Sequence, residues 1–311
     1  MIKIAIAGIG GVGGYFGGLL ARHFQNSTEV EVYFIARGAH EKVIRQHGMK
    51  VETTKGAFTA VPKLVTSDPN EIGVVDFLIC CTKSYHLEES ITQLKSCINK
   101  ATVILPLLNG VDSTERIKAV YPENEVWEGC VYVVSRLAEP GLVKETGNIG
   151  LLYFGSTDGS AQKLALAERL FTRGGIQAVL SDNIEQTIWE KFLFISTIAT
   201  LTSYLDACMG AILANKEYQD LLHLLLAEIK SVADARGINL PQNSIQATLD
   251  KMSSLPYDTT SSMHSDFQKG KATELESLTG YVVRLGEQLQ VPTPTYKTLY
   301  AALQTRAGAG S

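Results

Sequence analysis

The sequence has no disulfide framework, no metal-ligand spacing and no apolar run long enough to cross a bilayer. Its five cysteines, Cys80, Cys81, Cys97, Cys130 and Cys208, are odd in number and form no CxxC pair. The six histidines make neither HxxxH nor HExxH. A reducing compartment and no structural metal are therefore expected. The most apolar stretch, Phe192 to Leu205, is broken by Ser196, Thr197, Thr200, Thr202 and Ser203. It also falls short of the roughly 20 residues a spanning helix needs, so no membrane association is expected. The apolar start of the chain is cut by Gly8, Gly10, Gly11, Gly13 and Gly14, which leaves no continuous leader core. A basic excess is missing too: 28 basic against 32 acidic residues give a net charge of −4, which argues against a nucleic-acid partner. These absences point to a cytoplasmic protein.

What is present is globular. Hydrophobic residues make up 45% and charged residues 19% of 311 positions, enough chain for about two domains. The first half alternates short apolar runs with helical segments: Ile2–Ala7, a helix from Gly11 to about Phe24, Val30–Ala36, Val74–Cys81, a helix within His86–Ile98, and Thr102–Leu107. Strand, helix, strand repeated in this way implies a parallel sheet with helices on its faces. Val126–Val134, Leu142–Glu145, Leu151–Phe154 and an edge strand Gln177–Leu180 are expected to follow, with a helix at Gln162–Arg173 before the last. Near Ser181 the texture turns helical, in Ile184–Leu205, Glu217–Arg236, Gln242–Met252 and Glu274–Leu289, and the tail Ala307–Ser311 reads as unstructured. The expected fold is α/β, a Rossmann-type domain over residues 1–180 joined to an all-α domain over residues 181–311.

Gly8-Ile9-Gly10-Gly11-Val12-Gly13 is a GxGxxG between the first strand and the first helix. In that context the first glycine permits the tight turn, the second lets the backbone approach a pyrophosphate, and the third allows close helix–strand packing. The bland alternative is a plain glycine turn, and the serious competitor is a methyltransferase-type loop. The second strand ends in Phe34-Ile35-Ala36-Arg37-Gly38, with arginine where an acid would hold the ribose hydroxyls. An acid repels a 2′-phosphate, whereas a guanidinium pairs with it. Arg37 is thus either a phosphate ligand or a solvated surface residue, and NADPH is the preferred cofactor. His40 and Lys42 lie close enough in sequence to add positive charge.

Four further positions carry chemistry. Lys83, in Thr82-Lys83-Ser84-Tyr85, and Asn109, in Asn109-Gly110-Val111, follow strands of the parallel sheet, whose carboxyl ends face ligands. A surface lysine and an ordinary Asn-Gly turn are the plain readings of these two. Lys191 leads into an apolar helix in Trp189-Glu190-Lys191-Phe192-Leu193. A lysine so placed either transfers protons or snorkels from the helix edge beside an acid such as Glu190. Ser262 is either a helix N-cap or a ligand contact, and Glu274 either starts the last long helix or serves a site.

Taken together, the GxGxxG, Ala36-Arg37-Gly38, Thr82-Lys83-Ser84-Tyr85, Asn109-Gly110, Trp189-Glu190-Lys191, Ser262-Met263, Thr273-Glu274 and Pro292-Thr293 resemble the ketopantoate reductases over essentially the full chain. The resemblance implies NADPH and substrate in a cleft between the domains, and reduction of 2-dehydropantoate to pantoate on the way to pantothenate and coenzyme A. It implies Lys191 as the general acid and Glu274 as the residue positioning substrate and lysine. It assigns Gly8, Gly10, Gly11, Val12, Gly13, Arg37, Lys83 and Asn109 to the cofactor, and Asn109 and Ser262 to the substrate. A homodimer through the helical domain is compatible with this reading.

One departure stands out. The family has asparagines four and eight residues beyond the lysine, on its helical face, where this chain has Ile195 and Ala199. Two substrate-facing hydrogen-bonding groups are replaced by apolar ones. The alternatives are then a related NADPH-dependent reductase of a less polar 2-oxo acid, or a non-catalytic NADP-binding sensor.

Overall fold

A computed structural model describes residues 1–308. The chain divides into two compact units. The first comprises Met1–Leu108 and Ser113–Ile184, the second Asn109–Asp112 and the chain from Glu185 onward.

The first unit contains β1 (Ile2–Ala7), α1 (Gly11–Phe24), β2 (Val30–Ile35), α2 (Gly38–His47), β3 (Met49–Thr53), β4 (Gly56–Ala60), β5 (Leu64–Thr66), β6 (Phe77–Cys80), α3 (Leu87–Gln93), β7 (Val103–Pro106), α4 (Ser113–Val120), β8 (Glu128–Glu139), β9 (Leu142–Gly155), α5 (Ala161–Arg173) and β10 (Gln177–Leu180). One sheet, in the order β5-β2-β1-β6-β7, is wholly parallel, with Ile4 opposite Val32 on one side and Phe77 on the other. Side chains along each strand divide between two cores, because successive residues point to opposite faces. Ile4, Ile6, Phe34 and Ile79 join one cluster; Ala5, Ala7, Ile35, Leu78 and Cys80 join the other. Both faces are covered, which is why these strands read as continuous apolar runs.

The sequence did not announce a second sheet, β10-β9-β3-β4 with β8 paired to β9. β3 and β4 are five-residue strands in a stretch with no long apolar run. Leu142–Glu145 and Leu151–Phe154, expected as separate strands, are one strand. The turn signal between them is nonetheless real. Pairing with β8 jumps from Ser135↔Glu145 to Val133↔Gly150, so residues 146–149 leave the register.

α1 is squeezed between the two sheets, and its glycines mark both contacts. A Cβ on Gly17 would lie 3.1 Å from Ile6 and 3.2 Å from Phe34 of the parallel sheet. On the adjoining face, a Cβ on Gly14 would lie 2.5 Å from Val143 and one on Gly18 2.9 Å from Val51. The spacing of four residues puts Gly14 and Gly18 on one helical face, with Gly17 on the flank beside it.

The second unit is helical: α6 (Ile184–Leu205), α7 (Met209–Ala214), α8 (Lys216–Ala235), α9 (Ser244–Ser253), α10 (Ser262–Gln268), a π-helical turn at Glu276–Gly280, α11 (Tyr281–Leu289) and α12 (Pro294–Gly308). α6 is largely buried, and of its buried hydroxyl groups only that of Ser203 has no hydrogen-bond partner. Ser196 Oγ donates to the Leu278 carbonyl and lies 2.9 Å from the Tyr296 hydroxyl; Thr200 bonds Thr279 at 2.8 Å and Thr202 bonds Ser261 at 2.8 Å. These bonds let a polar stripe run through an apolar core at low cost. α12 was not expected. Pro294 opens it, and the Glu228 carboxylate accepts from the backbone N–H groups of Thr295 and Tyr296 at 2.8 and 2.9 Å. Ala307 and Gly308 continue that helix; residues 309–311 lie outside the described residues. α10 is capped by Ser261, which accepts from the His264 N–H at 3.0 Å, so the capping role expected of Ser262 belongs to its neighbour. No described helix is long and apolar enough to cross a membrane.

Candidate active site

The first unit presents a pocket of about 510 Å³ at the carboxyl ends of β1, β2 and β6. Gly8, Ile9 and Gly10 form its floor, with Ala36, Arg37 and His40 on one side and Cys81, Thr82, Lys83 and His86 on another. Gly8 has φ +89°, and a Cβ there would lie 2.8 Å from the Thr82 nitrogen, so the turn and its neighbour leave room for glycine alone. A Cβ on Gly10 would meet nothing, leaving the approach to the backbone open. Gly13 packs against the Gly8 carbonyl and Cys81, Gly11 against Ser135 of β8, and Val12 is half-buried against the core. Of the glycine-loop residues, Gly8 and Gly10 therefore line the pocket, while Gly11, Val12 and Gly13 hold α1 in place behind it.

Arg37 is exposed and donates to the Gln93 side chain of α3, which in turn donates to Glu89, a carboxylate on the same lining. Lys83 is exposed and lines the same pocket. Thr82 Oγ1 and His40 Nε2 are buried polar atoms without a partner. Burial holds the His40 imidazole below its usual pKa, so at neutral pH it adds a hydrogen-bonding group here and not the charge its sequence position suggested. An open glycine floor at a helix N-terminus, an arginine and two unsatisfied polar atoms fit a dinucleotide phosphate ligand. Leu137, which lines the pocket, and Gln93, which bonds Arg37, were missed by sequence reasoning, because only the tertiary fold brings them here.

In the second unit, Lys191, Asn109 and Glu274 form a chain of hydrogen bonds. Lys191 Nζ donates to Asn109 Oδ1 at 3.1 Å, and Asn109 Nδ2 donates to Glu274 Oε2 at 3.5 Å. The two bonds fix which way the Asn109 amide faces. Lys191 is 8% and Glu274 4% exposed, so the Lys191 side chain is buried rather than snorkelling. Asn109 is presented by a turn in which Gly110 has φ +103°. Glu274 lies two residues before the π-helical turn, a local widening of a helix frequent at functional sites. Along α6 from Lys191, Ile195 is half-buried and Ala199 is 1% exposed in the core. Ser262 is exposed at the start of α10. No group of three or more potential metal ligands occurs among the described residues.

Comparison with known proteins agrees over both units. Residues 4–159 match the family model "Ketopantoate reductase PanE/ApbA" and residues 183–307 match "Ketopantoate reductase PanE/ApbA C terminal". An uncharacterized oxidoreductase of Bacillus subtilis is 29% identical across 97% of this chain and 98% of its own. The structure of 2-dehydropantoate 2-reductase from Porphyromonas gingivalis superposes with a TM-score of 0.85 at 38% identity, over 97% of this chain and 99% of that one. A D-mandelate dehydrogenase, in its ternary structure with NADH and anilino(oxo)acetate, superposes with a TM-score of 0.88 at 25% identity over 99% of both chains.

Proposed function

The chain belongs to the ketopantoate reductase family and is an NAD(P)H-dependent oxidoreductase acting on 2-oxo acids, and we propose that it reduces 2-dehydropantoate to pantoate with NADPH. The observation that carries this reading is the buried Lys191, bonded to Asn109, which is in turn bonded to Glu274. Residues 1–180 hold the cofactor and residues 181–311 supply the proton donor, with Asn109 as the exception in sequence. The free thiols and the cofactor fit the cytoplasm.

When bound, the reduced nicotinamide supplies a hydride to the carbonyl carbon. Lys191 supplies the balancing proton to the carbonyl oxygen as negative charge builds there, so that ketone and NADPH plus one proton give alcohol and NADP⁺. Asn109 Oδ1 holds the Lys191 amine in one direction, and Glu274 holds the Asn109 amide. Arg37, which bonds the neutral Gln93 amide, favours the 2′-phosphorylated cofactor.

A second reading has its own observation. Ile195 and Ala199 give the face of α6 beyond Lys191 an apolar character, and the similarity to a D-mandelate dehydrogenase fits an apolar 2-oxo acid. Turnover of 2-dehydropantoate and of phenyl- and alkyl-substituted 2-oxo acids, followed through loss of the reduced nicotinamide absorbance, separates the two. The highest kcat/KM is expected for 2-dehydropantoate; a preference for an apolar acid transfers the assignment to the second reading with the chemistry unchanged.

A further inference from the structure

We propose that His40 selects for the 2′-phosphate of the cofactor as a neutral N–H donor, held in a single tautomer by the backbone amide of Gly141. The proposal rests on the NADPH reading and adds to it a residue acting by hydrogen bonding.

The tautomer follows from the donor. The Gly141 N–H points at His40 Nδ1 over 2.9 Å, so Nδ1 is the acceptor and the ring proton of the neutral imidazole resides on Nε2. Nε2 is buried and has no hydrogen-bond partner, and the ring lines the cofactor pocket three residues beyond Arg37. The Ile9 backbone beside the ring acts weakly in the opposite sense to burial, without a hydrogen bond to Nε2. A buried donor left unsatisfied is costly, and an acceptor arriving with the ligand recovers that cost on binding. Burial disfavours the imidazolium, which keeps the ring a donor–acceptor at neutral pH.

The support for this ring comes from the second sheet. Gly141 sits in the turn between β8 and β9 with φ +80°, and a Cβ there would lie 2.4 Å from Val43 of α2. Its carbonyl accepts from the Lys50 N–H of β3 at 2.8 Å. The turn is thus anchored on one side to β3 and pressed on the other against α2, while Leu137 of β8 lines the same pocket. The ring is positioned by backbone, so a ligand meets a donor already oriented. The acceptor that best fits a pocket end carrying Arg37 and this donor is a phosphate on the ribose, which takes both contacts as charge-assisted hydrogen bonds.

The test compares wild-type protein with His40→Phe and His40→Gln by calorimetric titration with NADPH, NADH and adenosine 2′,5′-bisphosphate, the last lacking the nicotinamide. His40→Phe is expected to weaken NADPH and the bisphosphate roughly ten- to a hundredfold, the loss typical of one hydrogen bond to a charged group, and NADH less than threefold. His40→Gln, which keeps an adjacent acceptor and donor, is expected to recover most of the loss. NADPH and bisphosphate affinities unchanged in His40→Phe overturn the proposal alone. Equal affinity of the wild-type protein for NADPH and NADH overturns the cofactor reading and this proposal with it. Where the variants fail to fold, ¹⁵N spectra of the wild-type ring decide: a protonated Nε2 that shifts with the 2′,5′-bisphosphate but not with adenosine 5′-diphosphate supports the role, and identical shifts with both overturn it.

Discussion

At the scale of single residues, Lys191 is the position where sequence and structure say different amounts. The sequence shows a lysine at the head of an apolar helix and leaves snorkelling open; the structure buries it to 8% exposure against the amide oxygen of Asn109. Their separation of 82 residues is why no local pattern ties them together, and the resemblance to a family was needed to name them as one site. The same holds for Glu274, which in sequence is only an acid ahead of a helix. Replacing Lys191 by Met tests the role directly. The side chain keeps its length and apolar stem but loses the proton, so kcat is expected to fall roughly 10²- to 10⁴-fold, the usual worth of a positioned proton donor. The melting temperature should fall by a few degrees, because the Asn109 amide oxygen loses its donor while Glu274 stays buried beside it. Single-turnover rates and thermal melts on one preparation read both quantities. A kcat within threefold of wild type would remove Lys191 from the chemistry.

At the scale of elements, the strands buried on both faces were legible because their cores enforce continuous apolar runs, and Ile2–Ala7, Gln177–Leu180 and Ile184–Leu205 match their expected limits. β3 and β4 were not, since a five-residue strand carries too few residues to establish a period of two. The glycines of α1 hold a signal that went unread. Beyond the phosphate-binding loop, Gly14, Gly17 and Gly18 have no reason to be in a helix unless something touches it on two sides. Each disfavours the helix by about 1 kcal/mol relative to alanine, and the close approach of two sheets offsets that cost. Gly14→Ala is therefore expected to lower stability by about 1–3 kcal/mol in spite of its better helix propensity, because the new methyl overlaps Val143. Adding Val143→Ala should restore part of the loss by removing the atoms in conflict. Urea unfolding of the two single variants and the double variant measures the coupling; strictly additive effects would mean that α1 does not meet β9 as described.

At the scale of the whole molecule, each unit buries an acid whose neutral form it protects. In the first, burial pushes the Cys80 thiol up to about 12; in the second, burial pushes the Tyr296 phenol up to about 12. For both, the folded state keeps its proton at a pH where the unfolded chain has already lost it. Stability from these groups is complete below the unfolded pKa, about 8.5 for a thiol and about 10 for a phenol, and declines as pH rises toward the folded value. While one group lies between its two pKa values, the slope is about 1.4 kcal/mol per pH unit. Unfolding free energy is thus expected to begin falling near the thiol value and to steepen above the phenol value. Tyr296→Phe separates the second contribution. It loses the hydrogen bonds to Ser196 and Thr197 and is less stable at neutral pH, yet above about pH 10 it lacks the titrating group, and its curve should converge on that of the wild type. Cys80→Ala should instead flatten the decline that begins at lower pH. Parallel curves for Tyr296→Phe and wild type above that point would show that the phenol is not held neutral by the fold, and that the alkaline limit of the protein is set elsewhere.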